Sequence, residues 1–145
     1  MTSLPERIAV TGLARAAVVG LLVVAFLVAG CAAVERDRRV MSLDSTTRAY
    51  QHAIRWGDFE GALGVLPPEK RQEQEWPAVF DDLRITRYEI QGPMVMLTDT
   101  QATQIIAIEY LYEYNQVVRK VIDRQSWRWD DQAQAWWLES GFPDF

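Results

Sequence analysis

The sequence contains a single cysteine, Cys31, and a single histidine, His52. One cysteine excludes an intrachain disulfide and any site assembled from several thiolates. One histidine leaves no pair to share a metal, and a Ser-His-Asp or Cys-His centre would have to use His52 alone. A glycine-rich phosphate loop is also missing: Gly57, Gly61, Gly64 and Gly92 are scattered. Asp81-Asp82 and Asp130-Asp131 lack the spacing of a calcium loop. No metal or cofactor is expected. Basic charge is in short supply, with 15 Lys and Arg against 20 Asp and Glu and a net charge of −5. Residues 1–30 hold Arg7, Arg15 and Glu6, so they carry +1 and leave −6 on the rest. An acidic domain repels phosphate backbones, which argues against a nucleic-acid partner.

What the sequence does have is a long apolar run near its start. Arg7 and Arg15 lead into Ala16–Gly30, an uncharged stretch of Val, Leu, Ala, Phe and Gly. A basic segment, an apolar segment and then small residues is the order of a secretory signal. The stretch ends in Val28-Ala29-Gly30-Cys31, which resembles the lipobox of bacterial lipoprotein precursors. That resemblance implies cleavage between Gly30 and Cys31, a diacylglycerol thioether on the Cys31 sulfur and acylation of the new N-terminus. Two or three acyl chains would hold the protein stably on a membrane, where one would not. By the same resemblance Ala32, where an Asp would favour the inner membrane, points to the outer membrane of a Gram-negative envelope, facing the periplasm. A second reading stays open. The nineteen residues from Ala16 to Val34 carry no charge and just reach the length of an uncleaved single-pass helix.

Residues 1–30 are thus read as a signal peptide, 31–42 as a charged, unpatterned tether reaching at most about 40 Å, and 43–145 as one α+β domain. The pattern predicts a helix over Leu43–Trp56, stopped by Gly57, with Thr46, Ala49, Tyr50, Ala53 and Ile54 on its core face and Arg48, Gln51, His52 and Arg55 opposite. Asp58 caps a second short helix, Phe59–Leu66, ended by Pro67-Pro68, and Glu69–Phe80 is helical until Pro77. From Leu83 the period becomes that of strands: Leu83–Ile90, broken at Gly92-Pro93 and resumed at Met94–Leu97, then Ala102–Tyr114, Val117–Trp129 and Ala135–Ser140. Helices followed by about four antiparallel strands predict helices packed on one face of a curved sheet. The order of elements resembles the nuclear transport factor 2-like (cystatin-like cone) superfamily. The resemblance rests on Trp56-Gly57-Asp58-Phe59-Glu60-Gly61-Ala62-Leu63, the long hairpin and the closing Trp136-Trp137-Leu138-Glu139-Ser140-Gly141-Phe142. That superfamily houses enzymes and plain binding modules alike.

His52 falls with Arg48 and Arg55 on the polar helix face and reads as a solvated side chain rather than a general base. Members of the resembled superfamily that are enzymes draw carboxylates or tyrosines from the cone interior. Here Ile106, Ile108, Tyr110, Tyr112 and Tyr114 alternate on the strand face that should pack on the helices, and Asp123 shares a face with Val121, Trp127 and Trp129. Asp123 and Tyr110 are therefore the catalytic candidates, with Arg119 or Arg128 as alternative partners for the carboxylate. Tyr50, Tyr112, Trp127 and Trp129 are the binding candidates, although cross-strand packing explains such aromatics equally well. The opposite strand face carries Ile105, Ala107 and Leu111 together with Glu109 and Glu113; it is apolar enough to suggest a homodimer or an envelope protein partner. The reading is a non-catalytic lipoprotein domain for binding or assembly. The alternatives are an envelope enzyme of the same fold and an uncleaved single-pass protein.

Overall fold

Charged, unbranched residues favour a helix earlier than the hydropathy pattern predicts. The computed structural model describes residues 34–73 and 78–145, and the chain divides into two compact units, Met1–Arg38 and Arg39–Phe145. The signal segment, Gly30 and Cys31 lie outside the described residues. In the first unit residues 34–38 are helical. In the second, residues 39–56 form α1. Residues 34–42, predicted as part of a tether, are therefore helical. Glu, Arg and Met are good helix formers, and no Gly or Pro interrupts them. The first turn of α1 is also held: the Trp136 indole donates to the Arg39 carbonyl at 2.9 Å, and the Arg39 guanidinium pairs with Asp131 at 3.0 Å.

The core stripe of α1 is Leu43, Tyr50, Ala53 and Ile54, all buried, with Thr46 and Thr47 half-buried between them. Ala49, predicted on this face, is exposed, because it lies about 100° around the helix from Tyr50 and falls off the stripe. Gly57 ends the helix at φ +73°, where the Asp58 amide bonds back to Ala53 and that of Gly57 to Ile54, the double closure that a left-handed glycine permits. Asp58 then caps α2 (Phe59–Leu63) by accepting from the Gly61 amide at 2.9 Å. A Cβ on Gly61 would meet that carboxylate at 2.2 Å, so the cap requires glycine there. Pro68 opens α3 (Pro68–Glu73), as proline suits a first helical position, and a 3-10 turn, Ala78–Asp82, leads into the sheet.

The strands are β1 (Leu83–Ile90), β2 (Val95–Thr98), β3 (Gln101–Tyr112), β4 (Arg119–Asp130) and β5 (Ala135–Leu138). All are antiparallel, in the order β1-β3-β4-β5, and β2 joins β3 on the same side as β1. The predicted interruption at Gly92-Pro93 is thus a break within one edge ribbon: Ile90 pairs with Ile106, Val95 with Thr103, and the proline has no amide to give to the ladder. The β3–β4 hairpin closes earlier and more widely than the sequence suggests. The Asn115 side chain takes the Val117 amide at 3.2 Å, which withholds that group from the ladder, and Gln116 turns at φ +52°. Tyr114, predicted on the packed face of the strand, therefore lies beyond its end and is exposed, stacked on Tyr112 at 5.5 Å.

The inner face of the sheet carries Leu83, Ile85, Ala102, Ile106, Ile108, Tyr110, Tyr112, Trp127, Trp129, Trp136 and Leu138 into the core with the α1 stripe, Phe59, Ala62 and Leu66. On the outer face Ile105 and Ile122 are exposed, whereas Ala107, predicted as part of an exposed apolar face, is buried and Leu111 is half-buried. Ala107 pairs with Glu89 on one side and Ile122 on the other, and a methyl group between two longer side chains is readily covered. The architecture is the predicted α+β one: helices on a curled antiparallel sheet. Among the described residues no helix is long and apolar enough to cross a membrane.

Candidate functional site

Alternation along β4 sends Asp123, Gln125 and Trp127 to the inner face, and all three are buried. Their side chains form a chain of hydrogen bonds. The Trp127 indole donates to Gln125 Oε1 at 3.3 Å, and Gln125 Nε2 donates to Asp123 Oδ2 at 2.8 Å and to the Tyr88 hydroxyl at 3.0 Å. An indole can only donate and an ionised carboxylate can only accept, so the Gln125 amide has one orientation that serves both. Tyr50 approaches from α1, its ring edge-on to Trp127 at 5.8 Å and stacked with Phe142 at 6.3 Å. Its hydroxyl is buried and has no hydrogen-bond partner among the described residues.

Burial sets the protonation of this cluster. Burial raises the Asp123 carboxyl above the usual carboxylate range, opposed by the Gln125 hydrogen bond. Burial also pushes the Tyr88 phenol well above its ordinary value; Gln125 opposes the rise and the Asp123 charge adds to it. Tyr50 is raised for the same first reason, with Asp123 and Tyr88 each adding to the effect. Both phenols are neutral hydrogen-bonding groups at any physiological pH, and neither is a source of phenolate.

The candidates from the sequence are distributed differently. Asp123 pairs across β3 with Ile106, and Tyr110 pairs with Arg119. Four residues of strand, about 13 Å, separate the two positions along β3. Tyr110 belongs instead to an aromatic group, edge-on to Tyr112 at 5.8 Å and to Phe145 at 5.2 Å, with Phe145 against Phe59 and Phe80. Arg119 lies over the Tyr112 ring and Arg128 pairs with Glu139, so the two arginines have partners other than Asp123. Trp127 is in the polar chain, Trp129 crosses to Trp136 at 5.7 Å, and Trp137 is half-buried on the outer side. His52 is exposed on α1, as predicted. Among the described residues no group of His, Cys, Asp and Glu could hold a metal.

A cleft of about 540 Å³ opens between α1 and the β1–β2 ribbon. Val40, Leu43, Asp44, Thr47, Arg48 and Gln51 line it from the helix, the stripe that spacings of three and four produce. Tyr88, Ile90, Met94, Met96 and Gln104 line it from the sheet. Tyr88 is thus shared between the cleft wall and the buried polar chain, and Gln125 connects it to Asp123. The sequence reading did not single out Tyr88, Gln125 or the two methionines. A signal for Gln125 was available: a polar residue between Asp123 and Trp127 on a face otherwise apolar.

No family model matches the sequence, and no curated protein does. Among solved structures, a ketosteroid isomerase-like protein from Erwinia carotovora atroseptica is similar, with 15% sequence identity and a TM-score of 0.51, over 68% of this chain and 88% of that one. At this identity the likeness shows the fold alone: the domain has the nuclear transport factor 2-like α+β cone.

Proposed function

We propose that this protein is a lipid-anchored envelope protein whose α+β domain binds a ligand or partner without catalysing its conversion. The observation that carries the binding reading is the state of Asp123. Its carboxylate is buried, held by Gln125, and does not line the cleft. A general base must reach the proton it removes, and this one is separated from the cleft by Gln125 and Tyr88. The cleft itself offers apolar walls and a few polar groups, the usual composition of a small-molecule site. The anchoring half of the reading rests on Val28-Ala29-Gly30-Cys31, and Ala32 favours the outer membrane. An assembly role would use the outer sheet face, where Ile105 and Ile122 are exposed.

Mass analysis of the purified N-terminus, with and without globomycin, tests the anchor. The expected product begins at an acylated Cys31, and a chain that still starts at Met1 without lipid defeats that half of the proposal. It would leave the single-pass alternative. One observation favours a second reading, an envelope enzyme: the Tyr50 hydroxyl is buried without a partner among the described residues and close enough to Asp123 for its charge to oppose ionisation. The neighbour's description as ketosteroid isomerase-like is compatible with that reading and belongs to that protein. Asp123→Asn with Tyr50→Phe separates the two. Under the binding reading, ligand affinity is unchanged; under the enzyme reading, turnover is lost.

A further inference from the structure

The cleft runs along α1 in a known direction. At one end the Arg39 carbonyl accepts from Trp136, and at the other the Arg55 guanidinium donates to the Ile85 carbonyl at 2.6 Å. The helix therefore crosses the inner sheet face with Val40 and Leu43 toward Met96 and its partner Ala102, and with Gln51 toward Tyr88. From residue 40 to residue 51 the helical wall is about 16 Å long. Its character changes along that length. Val40, Leu43 and Met96 make one end apolar and Gln51 and Tyr88 make the other polar but uncharged; Ile90, Met94 and Gln104 lie between, since Gln104 falls between Ala102, the partner of Met96, and Ile106, the partner of Ile90.

Charge is confined to the rim and cancelled there. Asp44 and Arg48 pair with each other at 3.0 Å, one helical turn apart, and both are largely exposed. Among the described residues no lysine lines the cleft, and the two charged residues that do, Asp44 and Arg48, neutralise each other. Tyr88 is a neutral phenol that already accepts from Gln125, so its own hydroxyl hydrogen is available to give. No hydrogen bond among the described residues engages the side-chain amides of Gln51 or Gln104, each of which offers both donors and an acceptor. A charged head drawn into such a site would be desolvated without a counter-charge, at a large cost. A hydroxyl, ester or amide would meet partners.

We infer that the cleft takes a neutral single-chain amphiphile, with its chain against Val40, Leu43, Met94 and Met96 and its uncharged polar head at Gln51 and Tyr88. This rests on the binding reading proposed above and adds the ligand class to it. The methionines provide the probe. Of the four in the chain, Met94 and Met96 line the cleft, so methyl-labelled methionine reports on it directly by NMR. The full chain, purified and reconstituted in phosphatidylcholine nanodiscs, is titrated with monododecanoylglycerol, dodecanoate, dodecylammonium and dodecane. The Met94 and Met96 methyl resonances should move with the monoglyceride at a concentration at least about tenfold below that needed for either charged analogue. Gln51→Leu should weaken the monoglyceride by about tenfold, the scale of one good hydrogen bond, and leave dodecane unchanged. Tyr88→Phe, which keeps the ring and removes only the hydroxyl, gives the same reading if the first variant does not fold. Equal affinity for the three dodecyl head groups would overturn the neutral-head assignment while the binding reading stands. Methyl resonances unmoved by all four compounds would remove both.

Discussion

The two ends of the cone are closed in different ways. At one end Phe59, Phe80, Tyr110 and Phe145 lie ring against ring, with centroid separations between 5.2 and 6.2 Å. At the other, α1 stands away from the β1–β2 ribbon, and Ile90 and Met96 remain partly open to solvent. The chain Tyr88-Gln125-Asp123, with Tyr50 beside it, lies on the inner face as a polar layer. Broad rigid rings interlock and exclude solvent, whereas flexible unbranched methionines yield to whatever occupies the space. The aromatic end suits stability, and the open end is where the proposed ligand would make contact.

Substitution in the two ends should give the widest contrast. Phe59→Ala should lower the unfolding free energy by about 3–5 kcal/mol, as buried Phe truncations do, whereas Met96→Ala should cost less, about 1 kcal/mol, because Met96 stays 37% exposed and borders the open cleft. Urea unfolding followed by tryptophan fluorescence measures both, and similar losses would erase the distinction. In the layer, Tyr50→Phe removes a buried hydroxyl that has no partner among the described residues, so stability should rise by about 1 kcal/mol. A loss would mean that the hydroxyl is satisfied in solution.

The Asp123 effect is read as a slope with pH. Its folded-state pKa is raised, so the folded chain holds the proton more tightly than the unfolded chain and protonation favours folding. Stability from this group is fully present below the ordinary carboxylate value of 3.8, and it is lost as pH rises through the raised folded value. Asp123→Asn should abolish that slope and leave the variant more stable than the parent at neutral pH, measured as denaturation midpoints across the acid range. An unchanged slope would place the titration elsewhere. The smallest effect belongs to the rim: Arg48→Ala, breaking an exposed pair with Asp44, should change stability by less than about 0.5 kcal/mol.

The secondary structure was largely legible because it follows from local rules. Gly57 and Asp58 mark the first helix boundary, Gly92-Pro93 breaks the edge ribbon, and alternation on β3 and β4 sorts Ile106, Ile108, Asp123 and Trp127 inward. The misplaced residues fail for identifiable reasons. Ala49 lies just off a stripe whose width depends on the partner surface, and Tyr114 lost its strand to an Asn115 side chain that competes for the backbone. Helix from residue 34 onward needs only good helix formers, which a search for apolar periodicity overlooks.

The sequence by itself determined the element types, the inward face of each central strand and the motif at Cys31, since these depend on neighbours a few residues apart. Tertiary structure alone decided that Asp123 belongs with Gln125 and Tyr88 rather than with Tyr110, and that a cleft opens beside Met94 and Met96. Those outcomes depend on strand register and on the distance at which α1 crosses the sheet, and both are set by the packing of side chains distant in the chain.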